Sequence, residues 1–253
     1  MPIKVTRMTE ADIDGAITTI QQAFAEDPYN LWIYPDRAKI DLTRNRVSLN
    51  LRCHWGIQHG LFHVARDTSD PAKILGCAMW MPPRAPSTAE SWSLYLSYWR
   101  LWVNQIRMNL WYGRGGLDTK RYWIWKARQA EAQNALWVSD KGYYFCNIVT
   151  VLPEAQGKGV GRALMEEVLG LADRERVECY LESSRRVPNV AIYEKFGFEL
   201  VKDMECRDGD GEKDAIMLYC MMRKPRAGGS EGSGAATKTV AAETVGTTPE
   251  IGQ

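Results

Sequence analysis

The sequence predicts an α/β fold, a sheet flanked by helices with a tryptophan-rich helical insertion, and three observations carry that prediction. A β-branched and aromatic run, Tyr143 to Val151, passes through a glycine-rich turn into a segment where Leu164, Val168, Leu171 and Ala172 recur at helical spacing. Apolar residues alternate in Leu61 to Arg66 and again in Ile74 to Met81 around the turn residues Ser69-Asp70-Pro71, the pattern of a hairpin. At 253 residues and 45% hydrophobic content the chain can bury a full core, so one domain over 1–226 with an insertion at 85–138 accounts for its length better than two domains.

In order along the chain, Val5 to Met8 reads as a short first strand, and Thr9 with Asp12 as the capped start of a helix running to about Phe24. A second helix is expected from Asp36 to Ile57. The hairpin follows, and Pro82-Pro83 ends it because proline has no N–H for the ladder. Ser87-Thr88-Ala89-Glu90 is a capping box that launches a helix up to Tyr112, Gly113-Arg114-Gly115-Gly116 stops it, and another helix starts near Asp118. Seven tryptophans, from Trp92 to Trp137, lie in this insertion, more than packing needs, and they predict an aromatic wall over a ligand slot. Beyond the central strand, turn and helix, Cys179 to Ser184 is a short strand. Phe198 to Cys206 and Ala215 to Met222 are two closing strands separated by the Asp208-Gly209-Asp210-Gly211 turn. From about Ala227 the chain is poor in large apolar residues and cannot offset its ordering entropy, so 227–253 is expected to be a disordered tail without chemistry.

Composition excludes several classes. A net charge of +1 lacks the strongly basic surface of a nucleic-acid binder. No charged-then-apolar leader opens the chain and no apolar run approaches membrane-spanning length, which predicts a cytoplasmic protein without integral membrane association. The six cysteines form no C-x-x-C pair and read as buried thiols of a reducing compartment, while the three histidines are too irregularly spaced beside them for zinc. No metal is expected. Nothing in the residues sets the oligomeric state.

The glycine-rich turn reads as a phosphate cradle. Gly157, Gly159 and Gly161 remove the side chains that would hold a phosphate off the backbone, the first N–H groups of the helix point at the anion, and Lys158 and Arg162 add positive charge. A P-loop would need Ser or Thr after Gly-Lys, and the dinucleotide fingerprint an acidic residue about twenty positions on; neither fits. Gln156-Gly157-Lys158-Gly159-Val160-Gly161 matches in full the Gln/Arg-x-x-Gly-x-Gly/Ala signature of the GCN5-related N-acetyltransferases (GNAT). Asn189, followed by Tyr193-Glu194-Lys195-Phe196-Gly197-Phe198, resembles the Asn and Tyr-x-x-x-Gly-Phe found next in that family. Ala23 to Tyr29, Gly76 to Pro83, Tyr180 to Ser184 and Met222 to Pro225 are similar, in the same order, to the puromycin N-acetyltransferase branch and its fungal relatives. The resemblance covers residues 3–225, strongest from Asn147 to Val201 and weakest from Ala85 to Val138, the stretch that would carry substrate choice.

That resemblance implies a mixed, mostly antiparallel twisted sheet of six to seven strands and acetyl-CoA as cosubstrate. It implies the pyrophosphate on Gln156, Gly157, Lys158, Gly159, Val160, Gly161, Arg162 and Ala163, the pantetheine arm on Asn189 and near Val151, and the thioester oxygen on the Val149 amide. Tyr193 would sit beside the sulfur and return a proton to the departing thiolate. Many relatives carry a carboxylate on the fourth strand, whereas Tyr143 to Val151 holds no Asp, Glu or His. Glu182, on the strand across the split, is the nearest ionisable candidate for the base, since partial burial would raise its pKa into a working range; Glu26, Asp27 and a water relay are the alternatives. The expected reaction is acetyl transfer to a primary amine of a small, bulky or aromatic molecule by direct attack in a ternary complex, because no base accompanies Cys146 or Cys179. A protein or peptide N-acetyltransferase and a non-catalytic acetyl-CoA-binding module are the alternative readings.

Overall fold

A computed structural model describes residues 2–85 and 92–226. Seven strands form one sheet: β1 (Ile3–Arg7), β2 (Leu61–Asp67), β3 (Asp70–Met81), β4 (Tyr143–Val151), β5 (Glu178–Ser183), β6 (Glu199–Arg207) and β7 (Ala215–Arg223), in the order β1-β2-β3-β4-β5-β7-β6. Every pairing is antiparallel except β4 with β5, so the sheet is mixed and mostly antiparallel. The helices are α1 (Ile13–Phe24), α2 (Pro28–Ile33), α3 (Leu42–His59), α4 (Trp92–Tyr112), α5 (Thr119–Leu136), α6 (Val160–Glu175) and α7 (Asn189–Glu194).

Alternation along the strands sends successive residues to opposite faces. Ala65, Ala78 and Leu181 join α6 in one core, while Val64 and Cys77 face α1 and α3, and Tyr180, Cys206 and Cys220 face α2 and α5. One face thus carries a single continuous core under α6. The other carries two, and β4 contributes to both, Tyr143 and Phe145 to one and Ile148 to the other.

Several boundaries differ from the sequence expectation, each for a local reason. The first strand runs Ile3–Arg7, because Ile3 and Lys4 also pair with β2. The hairpin turn is Thr68-Ser69, closed by the Ser69 N–H donating to Asp67 Oδ1 at 3.0 Å, so Asp70 and Pro71 already belong to β3. The expected helix from Asp36 begins at Leu42, since Asp36 caps only the short 3-10 turn Arg37–Lys39 and Asp41 caps α3 itself, accepting from the Arg44 N–H at 2.9 Å. Sequence reading missed α2, although Asp27 as cap and Pro28 at the first position spell a helix start. The Ser87 to Glu90 capping box and the expected tail lie outside the described residues.

Candidate active site

The parallel ladder between β4 and β5 runs from Tyr143↔Glu178 to Cys146↔Leu181 and stops, though β4 continues to Val151. The cause lies on the other edge of β4. Met79 pairs with Ile148 and Trp80 with Cys146, so Asn147 is an extra residue, a bulge at the point where the ladder ends. A bulge bends and over-twists its strand, which here turns β4 away from β5 and opens a slot through the sheet.

A cavity of about 1110 Å³ occupies that slot, bounded by the end of α1, the unpaired part of β4, α6 and α7. Gln156, Gly157, Gly159, Val160, Gly161 and Arg162 line it, as do Val149, Val151, Asn189 and Tyr193. Lys158 and Ala163 do not. The Ala163 amide already donates to Gly159 O at 3.0 Å as the first bond of α6, whereas the amides before it have no such partner and α6 has no side-chain cap. Gly159 supplies the turn, with φ 86° and ψ 0°. Uncapped amides at the positive end of a helix dipole, with Arg162 beside them, give this end of the cavity a positive potential.

At the other end, Asn189 Nδ2 donates to Ser183 Oγ at 3.1 Å, fixing α7 to the end of β5. The next residue, Ser184, bonds Asp27 Oδ2, while Asp27 Oδ1 accepts from the Tyr29 N–H at 3.0 Å. Glu26 and Asp27, the alternative bases of the sequence reading, line the cavity, as does Gln22, which carried no sequence signal. Burial pushes the Tyr193 phenol well above its usual pKa, with Cys146 and Asp27 reinforcing the shift, so the hydroxyl keeps its proton at neutral pH. It has no hydrogen-bond partner among the described residues, and Tyr193 lines the cavity. Burial likewise raises the Cys146 thiol, which stays neutral and a poor nucleophile.

Glu182 lies elsewhere. It follows Leu181, the last residue of β5 paired with β4, and its side chain is on the face opposite α6, with Tyr180, and does not line the cavity. Gln129 Nε2 donates to Oε2 at 2.8 Å and the Tyr180 hydroxyl to Oε1 at 2.9 Å. Burial raises its pKa, against the opposing pull of those two donors and of Lys126. On the same face, Tyr29 and Trp125 pack against the core that holds Tyr180, their rings 5.0 Å apart. Of the seven tryptophans expected to wall the slot, none lines the cavity: Trp92, Trp99, Trp102, Trp111 and Trp123 are exposed, and Trp125 alone pairs with Tyr29 on the other face. Trp137 packs against Tyr143, Phe145 and Tyr180 in the core.

A family model described as the acetyltransferase (GNAT) domain matches residues 118–200, from α5 through the cradle to the start of β6. Over 244 residues the chain is 28% identical to an uncharacterized N-acetyltransferase of Schizosaccharomyces pombe, spanning 94% of this chain and 90% of that protein. Its fold resembles arylalkylamine N-acetyltransferase 2 from Aedes aegypti, at 14% identity and TM-score 0.59 over 89% of this chain and 100% of that one. It also resembles a structure from Corynebacterium glutamicum described as histone acetyltransferase HPA2 and related acetyltransferase, at 19% identity and TM-score 0.58, over 90% and 99%. The sheet split and the glycine cradle both fall within the segment matched as a GNAT acetyltransferase domain, and an N-acetyltransferase aligns along nearly the whole chain, so this protein carries a GNAT acetyltransferase domain and is an acyltransferase.

Proposed function

We propose that the protein transfers the acetyl group of acetyl-CoA to the primary amine of a small, bulky or aromatic molecule by direct attack in a ternary complex. The observation that carries this reading is one continuous cavity joining the free amides of α6 to the Tyr193 hydroxyl along the unpaired edge of β4. Acetyl-CoA supplies the activated acyl group. The α6 amides and Arg162 hold its pyrophosphate, Asn189 and the β4 edge near Val151 its arm, and the Val149 N–H the carbonyl oxygen as negative charge develops there.

The amine enters from the opposite face, where Tyr29 and Trp125 offer an aromatic surface and Glu182 stands at the edge of the slot. As the N–C bond forms and the C–S bond breaks, the amine's proton passes to Glu182, and Tyr193 gives its own to the leaving thiolate. Solvent resets both groups. Direct attack follows from the neutral, buried Cys146, and we assign the reaction to the cytoplasm, where six free, buried thiols stay reduced.

A screen of amines by CoA thiol release tests the reading, with puromycin-like nucleosides, aryl amines, polyamines, amino acids and peptides. Release with an aryl or nucleoside amine is the expected result. Release with peptides alone would replace the small acceptor by a polypeptide, and acetyl-CoA that binds but stays intact with every amine would leave a binding module.

A further inference from the structure

Helix α4 is amphipathic in the reverse sense. Its inward side meets α3 largely through polar bonds: Trp55 Nε1 donates to Ser97 Oγ at 3.3 Å, Ser48 Oγ to Gln105 Oε1 at 3.2 Å and Arg44 Nη2 to Asn109 Oδ1 at 2.6 Å. Only Leu94 and Met108 of the helix are buried. Outward, Trp92, Leu96, Trp99, Val103, Ile106 and Leu110 succeed one another in alternating steps of four and three, which aligns them on one exposed stripe roughly 27 Å long. Its ends, Trp92 and Leu110, are 80% and 81% exposed, so α4 leaves in water the side that a globular helix buries.

Charge decides what covers the stripe. Arg100 and Arg107, one heptad apart, flank it, both exposed and without an ion-pair partner among the described residues. From Trp92 to Leu117 the sequence has no acidic residue. Two copies of α4 packed together, in either direction, would border their seam with guanidinium groups alone and nothing to neutralise them. An anionic lipid surface satisfies both parts at once: tryptophan rings settle at the boundary between headgroups and acyl chains, and arginines meet headgroup phosphates. No helix among the described residues is long and apolar enough to cross a membrane, so the contact is one of lying on it.

We propose that this face of α4 seats the protein on an anionic membrane surface with the helix axis in the membrane plane. The cavity is lined by none of these residues, so the site and the seat are separate.

The full chain, incubated with vesicles of phosphatidylcholine with and without phosphatidylserine, tests this by co-sedimentation. The wild type is expected to sediment with the phosphatidylserine vesicles and to leave them as salt rises. Arg100→Gln and Arg107→Gln are each expected to weaken that partition about fivefold, and Trp99→Ser with Ile106→Ser to abolish it. Circular dichroism melting should be unchanged in all of them, since every substituted side chain is exposed. Absence of vesicle binding, or equal binding by the variants, overturns the proposal. A concentration-dependent dimer that Trp99→Ser dissolves also overturns it and assigns the face to a second copy.

Discussion

Replacing Gly159 and Gly161 by alanine, one at a time, should move stability in opposite directions and cofactor affinity in the same one. Gly159 has φ 86° and ψ 0°, in the left-handed region, and a Cβ there would meet nothing nearer than Ile3 Cδ1 at 3.8 Å. Gly159→Ala therefore costs backbone strain without a clash, about 1–2 kcal/mol. Gly161 lies inside α6, and its Cβ would rest 3.6 Å from Val151 Cγ2, ordinary contact. Gly161→Ala should stabilise by roughly 0.5–1 kcal/mol through helix propensity. At about 2–4 °C per kcal/mol for a chain of this size, the first variant should melt lower by about 2–8 °C and the second higher by about 1–4 °C. Both methyl groups stand between a phosphate and the helix amides, so calorimetry should find acetyl-CoA binding weakened in each. Lys158→Ala, exposed and outside the cavity, should change affinity by less than about fivefold. A Gly161→Ala protein that binds as the wild type does would show that the pyrophosphate does not approach this turn.

Other outcomes follow from the same geometry. Tyr193→Phe should lower turnover by about 10² to 10⁴ with little change in acetyl-CoA affinity; unchanged turnover would mean the thiolate leaves without this proton. Burial raises the Glu182 pKa, so the folded state keeps that proton longer than the unfolded chain does. Stability from this group is full below the ordinary glutamate pKa and is lost as pH rises through the raised one, while rate rises with pH as the base forms. Glu182→Gln should flatten both dependences and cut turnover, and a variant with the wild-type rate and pH profile would make Glu182 a structural residue. Cys146→Ala should keep intersecting initial-velocity lines in kinetics, whereas parallel lines together with an acetylated Cys146 in the parent protein would establish a covalent route.

What the sequence alone determined about this protein is local. The glycine cradle, the strand before it and the helix after it are written in neighbouring residues, because a left-handed turn needs glycine and a helix start needs free amides close by. Helix starts at Asp27, Asp36 and Asp41 were also present in the residues, but choosing which carboxylate caps a full helix depends on what packs behind it. Only the tertiary structure decided that Asn147 is a bulge, since that is a count of one strand against another, and that Glu182 lies on the face opposite α6, since that depends on which partner β5 joins. It also decided the tryptophans. A stripe of apolar residues on α4 looks like a core face in sequence, and Ser97, Gln105 and Asn109 look like its wet side. Arg44, Ser48 and the Trp55 indole N–H of α3 take up that polar side and turn the apolar one outward.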